Sequence, residues 1–84
     1  MKEFGKLLSG KLPKNNIHSG MIQSIVKNEN IRDKQQLLNY LQNQELLCRE
    51  WLAKNKGSTM NNRRRDYFRK IEDIKSMREI LSKL

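Results

Sequence analysis

The sequence predicts an all-α protein, a small helical bundle built on a long C-terminal antiparallel helical hairpin with one or two shorter N-terminal helices. The chain of 84 residues is the length of one domain, and its single proline and four glycines leave little turn chemistry for a multi-stranded sheet. Apolar residues recur every three or four positions, which is typical of amphipathic helices. Two long segments of this kind fill the second half, and the break between them is short.

The first half holds the shorter elements. Residues 1–15 are predicted to be a basic N-terminal arm or a short helix, which Pro13 would end. A helix over residues 16–29 follows, and its apolar face is marked by the four-residue spacing of Ile17, Met21 and Ile25. Asparagines around residues 28–30 are expected to end it, because asparagine tolerates the left-handed backbone conformation at a helix end.

A helix over residues 33–55 has its start written in the sequence. Asp33 can accept a hydrogen bond from a free backbone N–H of the first turn, and Gln36 can reach back in the same way. We expect Gly57 to end this helix, since glycine suits the position just past a helix C-terminus. Its apolar stripe comprises Leu37, Leu38, Leu41, Cys48, Trp51 and Leu52.

The last helix is predicted over residues 59–84, with Ser58 or Thr59 as its cap. A cap at Asn62 is the alternative, and it would place three consecutive arginines in the first turn. The predicted seam follows heptad-like spacing, with Arg64 and Arg78 at two of its positions. Its apolar members are Met60, Tyr67, Ile71, Ile74 and Leu81, and Phe68, Met77, Ile80 and Leu84 broaden it.

The positive charge is concentrated where the hairpin turns. The whole chain has a net charge of +9, and the segment from Arg49 to Lys70 has eight basic and two acidic residues. An antiparallel hairpin brings these side chains to one end of the molecule, where they form a candidate phosphate-binding surface. Its predicted members are Lys54, Lys56, Arg63, Arg64, Arg65 and Arg69.

The three consecutive arginines are not expected to form one patch. At 100° per residue, Arg65 and Arg69 fall nearly opposite Tyr67, whereas Arg63 and Arg64 fall beside the apolar seam. A solvated helix face with ion pairs is the alternative to a binding surface. The pairs that this alternative requires are Asp66–Lys70, Arg69–Asp73 and Lys75–Glu79.

The charge distribution favours a small non-enzymatic protein that contacts the phosphate backbone of DNA or RNA, with a regulator or accessory factor as the expected role. The alternative is a helical protein–protein adaptor or inhibitor that binds an acidic partner protein. The aromatic residues near the cations can either stack on bases or pack in the core. Self-association into a homodimer remains open, because a bundle of this size buries little apolar surface.

Other classes of function have little support in the sequence. None of the HExxH, CxxC, GxGxxG or P-loop patterns occurs, so we expect no enzyme activity, cofactor, metal or small-molecule substrate. The single cysteine, Cys48, cannot form an internal disulfide, which favours a reducing compartment. We also expect no secretory signal and no transmembrane segment, and therefore a cytoplasmic location.

Overall fold

The protein is described by a computed structural model over residues 3–57, 59 and 61–84. Within these residues the chain forms four helices and no strand: α1 (Glu3–Lys11), α2 (Ile17–Asn28), α3 (Lys34–Lys54) and α4 (Asn61–Ser82). The molecule measures 45 × 24 × 20 Å along its principal axes. The predicted all-α fold is confirmed. None of the described helices is long and apolar enough to cross a membrane.

Helices α3 and α4 pack against each other as the predicted hairpin, α2 packs against α4, and α1 packs against α2. The larger apolar cluster, here called the distal core, draws on all four helices. Its buried members are Leu8, Leu12, Ile22, Val26, Ile31, Leu37, Leu41, Ile74, Met77 and Leu81. A second cluster near the turn, here called the hairpin-end cluster, comprises buried Cys48, Leu52 and Ile71 with half-buried Trp51 and Tyr67.

The start of α3 is capped as the sequence predicts. The Asp33 side chain accepts a hydrogen bond from the Gln36 backbone N–H at 2.8 Å. The Gln36 side chain reaches back and accepts from the Arg32 backbone N–H, also at 2.8 Å. Two backbone donors that the helix itself cannot satisfy are therefore paired, which fixes the point where α3 begins.

An asparagine also ends α2, as predicted. Asn30 has a φ of 53°, which lies in the left-handed region. This turn allows the Ile31 N–H to donate to the Val26 carbonyl oxygen at 3.1 Å, and the Ile31 side chain is buried in the distal core. The residue that reverses the chain is thus followed at once by an apolar anchor, a common arrangement at helix C-termini.

The N-terminal segment takes the helical form of the two predicted. Leu8 and Leu12 of this segment are buried, and Phe4 packs beside them. Leu7 stays exposed, because residues four apart share a helix face and the buried face of α1 passes through Phe4 and Leu8. The Gly5 position lies close to α2, where an added Cβ would be 3.7 Å from Val26 Cγ1.

None of the three predicted cap residues directly precedes α4, because this helix begins at Asn61 and the alternative cap, Asn62, lies inside it. Ser58 and Met60, one predicted cap and the first predicted seam residue, lie outside the described residues. The remaining seam is largely as predicted, with Ile71, Ile74, Met77 and Leu81 buried. Phe68 and Leu84, which were expected to broaden it, are exposed.

Candidate nucleic-acid interface

The hairpin end gathers the predicted cations from three consecutive parts of the chain. Lys54 is the last residue of α3, Lys56 lies in the connection, and Arg63 is the third residue of α4. All three side chains are exposed. Because α4 begins at Asn61, Arg63 lies in its first turn and Arg64 and Arg65 follow at the end of that turn. This start falls between the two that were considered from the sequence, at Thr59 and at Asn62.

Arg64 is held within the fold. Its Nη1 donates to the Leu52 carbonyl oxygen at 2.7 Å and to the Asn55 carbonyl oxygen at 2.6 Å. These acceptors are at the C-terminus of α3, where carbonyl groups have no partner within the helix and a positive charge is favourable. The guanidinium carbon also lies 5.6 Å from the centre of the Phe68 ring. Arg64 thus joins the start of α4 to the end of α3, which leaves it the least available of the six candidates.

The prediction that Gly57 ends α3 is wrong about the residue responsible. Gly57 does not adopt a positive φ, so its conformational freedom is not what ends the helix. Asn55 ends it instead: its backbone N–H donates to the Trp51 carbonyl oxygen at 3.0 Å, and its side-chain amide donates to the same oxygen at 2.8 Å. Arg64 completes the capping from the neighbouring helix.

The remaining arginines of the candidate site point into solvent. Arg65 and Arg69 are exposed, in agreement with their predicted position on the back of α4. Arg63 was expected to border the packing seam, but it is exposed as well. The physical reason is that α3 ends at Lys54, so the first turn of α4 extends past the helix that would have covered Arg63.

The three ion pairs expected along α4 do not form among the described residues. Asp73 lies 3.1 Å from His18 Nε2 instead, and Glu79 lies 3.8 Å from Lys83 Nζ. Lys70 sits 4.8 Å from the centre of the Tyr67 ring. In the described part of the chain, no carboxylate is paired with any of the exposed cations of the hairpin end, namely Lys54, Lys56, Arg63, Arg65 and Arg69.

The strongest ionic cluster lies outside the candidate site, halfway along the hairpin. Glu45 of α3 is 2.8 Å from Arg49 Nη2 and 3.1 Å from Arg78 Nη1 of α4. The hydrogen bond from Arg49 and the charges of both guanidinium groups lower the pKa of the Glu45 carboxyl below its ordinary 4.5, although partial burial opposes this change. The Arg78–Glu45 pair follows from the seam position of Arg78, whereas Arg64 binds carbonyl oxygens.

Two of the aromatic residues near the cations pack against each other. The Trp51 and Tyr67 rings stack with centroids 4.2 Å apart and planes 17° from parallel. Both residues are half-buried over the hairpin-end cluster, so their role in packing is evident. Phe68 lies on a different side of α4 and is about half exposed, at 51%.

The described residues place no group of three His, Cys, Asp or Glu side chains where it could hold a metal ion. The comparisons with known proteins add no family or fold relative: the chain matches no family model, no curated protein and no solved structure.

Proposed function

We propose that this is a small, basic, non-enzymatic protein that binds the phosphate backbone of DNA or RNA through the hairpin end. The observation that supports this most directly is the set of exposed cations that have no carboxylate partner within the described residues. They are Lys54, Lys56, Arg63, Arg65 and Arg69. A role as a regulator or accessory factor in the cytoplasm belongs to the same proposal.

The local structure favours a bound anion over a purely solvated surface. Positive charges near a helix N-terminus are unfavourable by about 0.3–1 kcal/mol each, and α4 has Arg63 in its first turn with no acidic residue there. A phosphate at this end would offset that cost, because it interacts favourably with both the helix N-terminus and the arginines. The hydrogen bonds of Arg64 hold the two helix ends together, so the cations are presented from a fixed base.

A salt series of binding measurements tests this proposal. The affinity for labelled duplex DNA, single-stranded DNA and RNA would be measured by fluorescence anisotropy between about 50 and 200 mM salt. For duplex DNA, the logarithm of the affinity should fall linearly with the logarithm of the salt concentration, by about 0.9 per phosphate contact. The triple variant Lys54→Ala/Arg65→Ala/Arg69→Ala should reduce this slope by about one to three units.

A matched variant controls for net charge. Lys14→Ala/Lys27→Ala/Lys75→Ala removes the same charge from exposed positions away from the hairpin end, and it should keep most of the salt dependence. Equal losses in the two triple variants would show that only overall charge matters and would contradict a site at the hairpin end. Absence of binding to all three nucleic acids at about 50 mM salt would reject the proposed function.

The second candidate function is a helical adaptor or inhibitor whose hairpin end meets an acidic protein. The exposed Phe68 ring favours it, because an aromatic residue beside arginines is typical of protein interfaces and a phosphate contact does not need it. A pull-down from nuclease-treated lysate distinguishes the two functions. The adaptor would recover an acidic protein that Phe68→Ala releases, whereas the nucleic-acid binder would lose its partner on nuclease treatment.

A homodimer would strengthen either function by doubling the number of cations. Leu46 and Leu47 of α3 are 52% and 51% exposed, which leaves apolar surface for a second copy. Light scattering on the wild type and on Leu46→Ser tests this part of the proposal. A monomeric mass for the wild type at micromolar concentration would remove it.

A further inference from the structure

A groove runs between α2 and the hairpin. It is separate from the proposed nucleic-acid site. It has a volume of about 680 Å³, and residues of α2, α3 and α4 contribute to its walls. Its floor is formed by apolar side chains of the hairpin: Leu41, Cys48, Ile74 and Met77. Met21 and Ile25 form the apolar part of the α2 wall.

Exposed apolar side chains extend this surface beyond the floor. Ile17, at the start of α2, lines the groove and is 72% exposed. On α3, Tyr40 and Gln44 line the groove, and Leu47 and Trp51 continue the same helix face at the next spacings of three and four residues. The apolar strip is therefore longer than the groove alone. An amphipathic helix is the partner that suits a long, open, apolar depression of this kind.

The net charge of the chain indicates what the outer face of that helix should carry. Lys70 and Asp73 line the groove with opposite charges, and Asp73 lies 3.1 Å from His18 Nε2. The whole chain carries +9, so its field attracts an acidic segment and repels a basic one.

A second copy of this chain is a poor occupant of the groove, because each of the four described helices already packs apolar side chains into its own fold and has no free amphipathic face to insert. We propose that the groove binds an amphipathic helix of a partner protein, with apolar residues on one face and acidic residues on the other. This site is separate from the proposed nucleic-acid surface, and either could exist without the other.

The test uses a synthetic peptide of about 18 residues, which would form a helix of about 27 Å. It carries leucines on one face and glutamates on the other, and a second peptide replaces the glutamates with lysines. Both are titrated into the isotope-labelled full-length protein and followed by nuclear magnetic resonance. We expect the acidic peptide to bind and to shift the amide signals of Met21, Gln44, Cys48 and Ile74, and the lysine peptide to bind at least about tenfold more weakly.

Two glycines offer a matched pair of variants. Gly20 lines the groove and Gly10 does not, and an added Cβ at either position meets no atom within 4 Å. Gly20→Glu places a bulky negative charge at the groove wall and should weaken binding of the acidic peptide by about tenfold or more. Gly10→Glu makes the same change in net charge and should leave the affinity within about twofold, as expected for a remote surface substitution.

Several results would overturn the proposal. These are shifts that map elsewhere, equal binding of the two peptides, or unchanged affinity in Gly20→Glu. If sedimentation showed that the protein is a dimer and that Gly20→Glu dissociates it, the groove would be the interface with a second copy, and the proposal of a partner helix would be rejected. The DNA and RNA titrations of the proposed function are independent of Gly20, so failure here leaves that function untouched, and failure there leaves the groove in place.

Discussion

The two ends of the hairpin are stabilised in different ways. The distal core collects apolar side chains from four helices, and Ile22, Leu37, Leu41 and Leu81 are almost completely buried in it. The hairpin end has three buried residues from two helices, covered by the Trp51–Tyr67 stack. Its helix ends are joined by hydrogen bonds from Arg64 to carbonyl oxygens.

The different coverage of the two ends explains why the cations of the hairpin end are exposed. Covering a hairpin with further helices removes surface from solvent, which suits apolar side chains and excludes unpaired charges. Among the described residues, α1 and α2 contribute no side chain to the hairpin-end cluster, and Lys54, Arg63, Arg65 and Arg69 are exposed there. At this less covered end, the exposed cations have no carboxylate partner among the described residues.

The largest expected effect is a cavity in the distal core. Leu37→Ala should lower the free energy of unfolding by about 2–5 kcal/mol, because Leu37 has no exposed surface and its neighbours cannot fully close the space. Leu52→Ala makes the same chemical change at the hairpin end. It should lower the free energy of unfolding by less, about 2 kcal/mol, because Leu52 lies in the smaller cluster. Urea unfolding measures both. An equal or larger loss in Leu52→Ala would contradict the contrast between the ends.

The next effect separates two neighbouring arginines. Arg64→Ala removes hydrogen bonds to the Leu52 and Asn55 carbonyl oxygens and should cost about 1–3 kcal/mol of stability. Arg65→Ala should change stability by less than about 0.5 kcal/mol, because Arg65 is exposed. It should nevertheless weaken DNA binding. If Arg65→Ala were the more destabilising of the two in thermal unfolding, the division between a structural and a binding arginine would be wrong.

A pH dependence should arise from the middle of the hairpin. The pKa of Glu45 is lowered in the folded protein, so its contribution to stability is present above the ordinary value of 4.5 and is lost as the pH falls through the lower, folded-state pKa. This contribution should be at most about 1 kcal/mol, since its partners Arg49 and Arg78 are exposed. The stability difference between the wild type and Glu45→Gln should shrink below about pH 4.5. A constant difference from pH 7 to pH 3 would exclude this role.

The smallest expected effect is at the exposed aromatic residue of the hairpin end. Phe68→Ser should change the free energy of unfolding by less than about 0.5 kcal/mol, because the ring is about half exposed and lies outside both apolar clusters. Chemical denaturation checks this value. A loss above about 1.5 kcal/mol would contradict a minor role of the ring in stability and would indicate that its contact with Arg64 contributes to the fold.

Local signals made most of the fold predictable from the sequence. The caps at Asp33 and Asn30 depend on residues within five positions of each other, and the buried face of α4 follows from its own periodicity. The contacts of Arg64 were not predictable in the same way, because its acceptors are backbone atoms nine and twelve residues away. No side-chain pattern marks a carbonyl oxygen as an acceptor.

The sequence predicted that the cations of the candidate site meet at one end of the hairpin, but not the contacts that their neighbours make. Sequence spacing made Asp66–Lys70 and Arg69–Asp73 look like pairs, yet other contacts occupy two of these side chains, one between helices and one within α4. His18 of α2 lies beside Asp73, and the Tyr67 ring lies beneath Lys70. The groove was not predictable either, because it depends on where α2 packs relative to the hairpin, and the periodicity of a single helix does not specify that position.

Because Trp51 stacks on Tyr67 at the hairpin end, its intrinsic fluorescence can be used to follow this end of the molecule. Trp51 is the single tryptophan of the chain, and it sits in the hairpin-end cluster. Its fluorescence should therefore report the melting of this end, whereas circular dichroism averages over every helix. Coincident transitions by the two signals would show that both ends unfold as one cooperative unit, and an earlier fluorescence change would show that the hairpin end opens first.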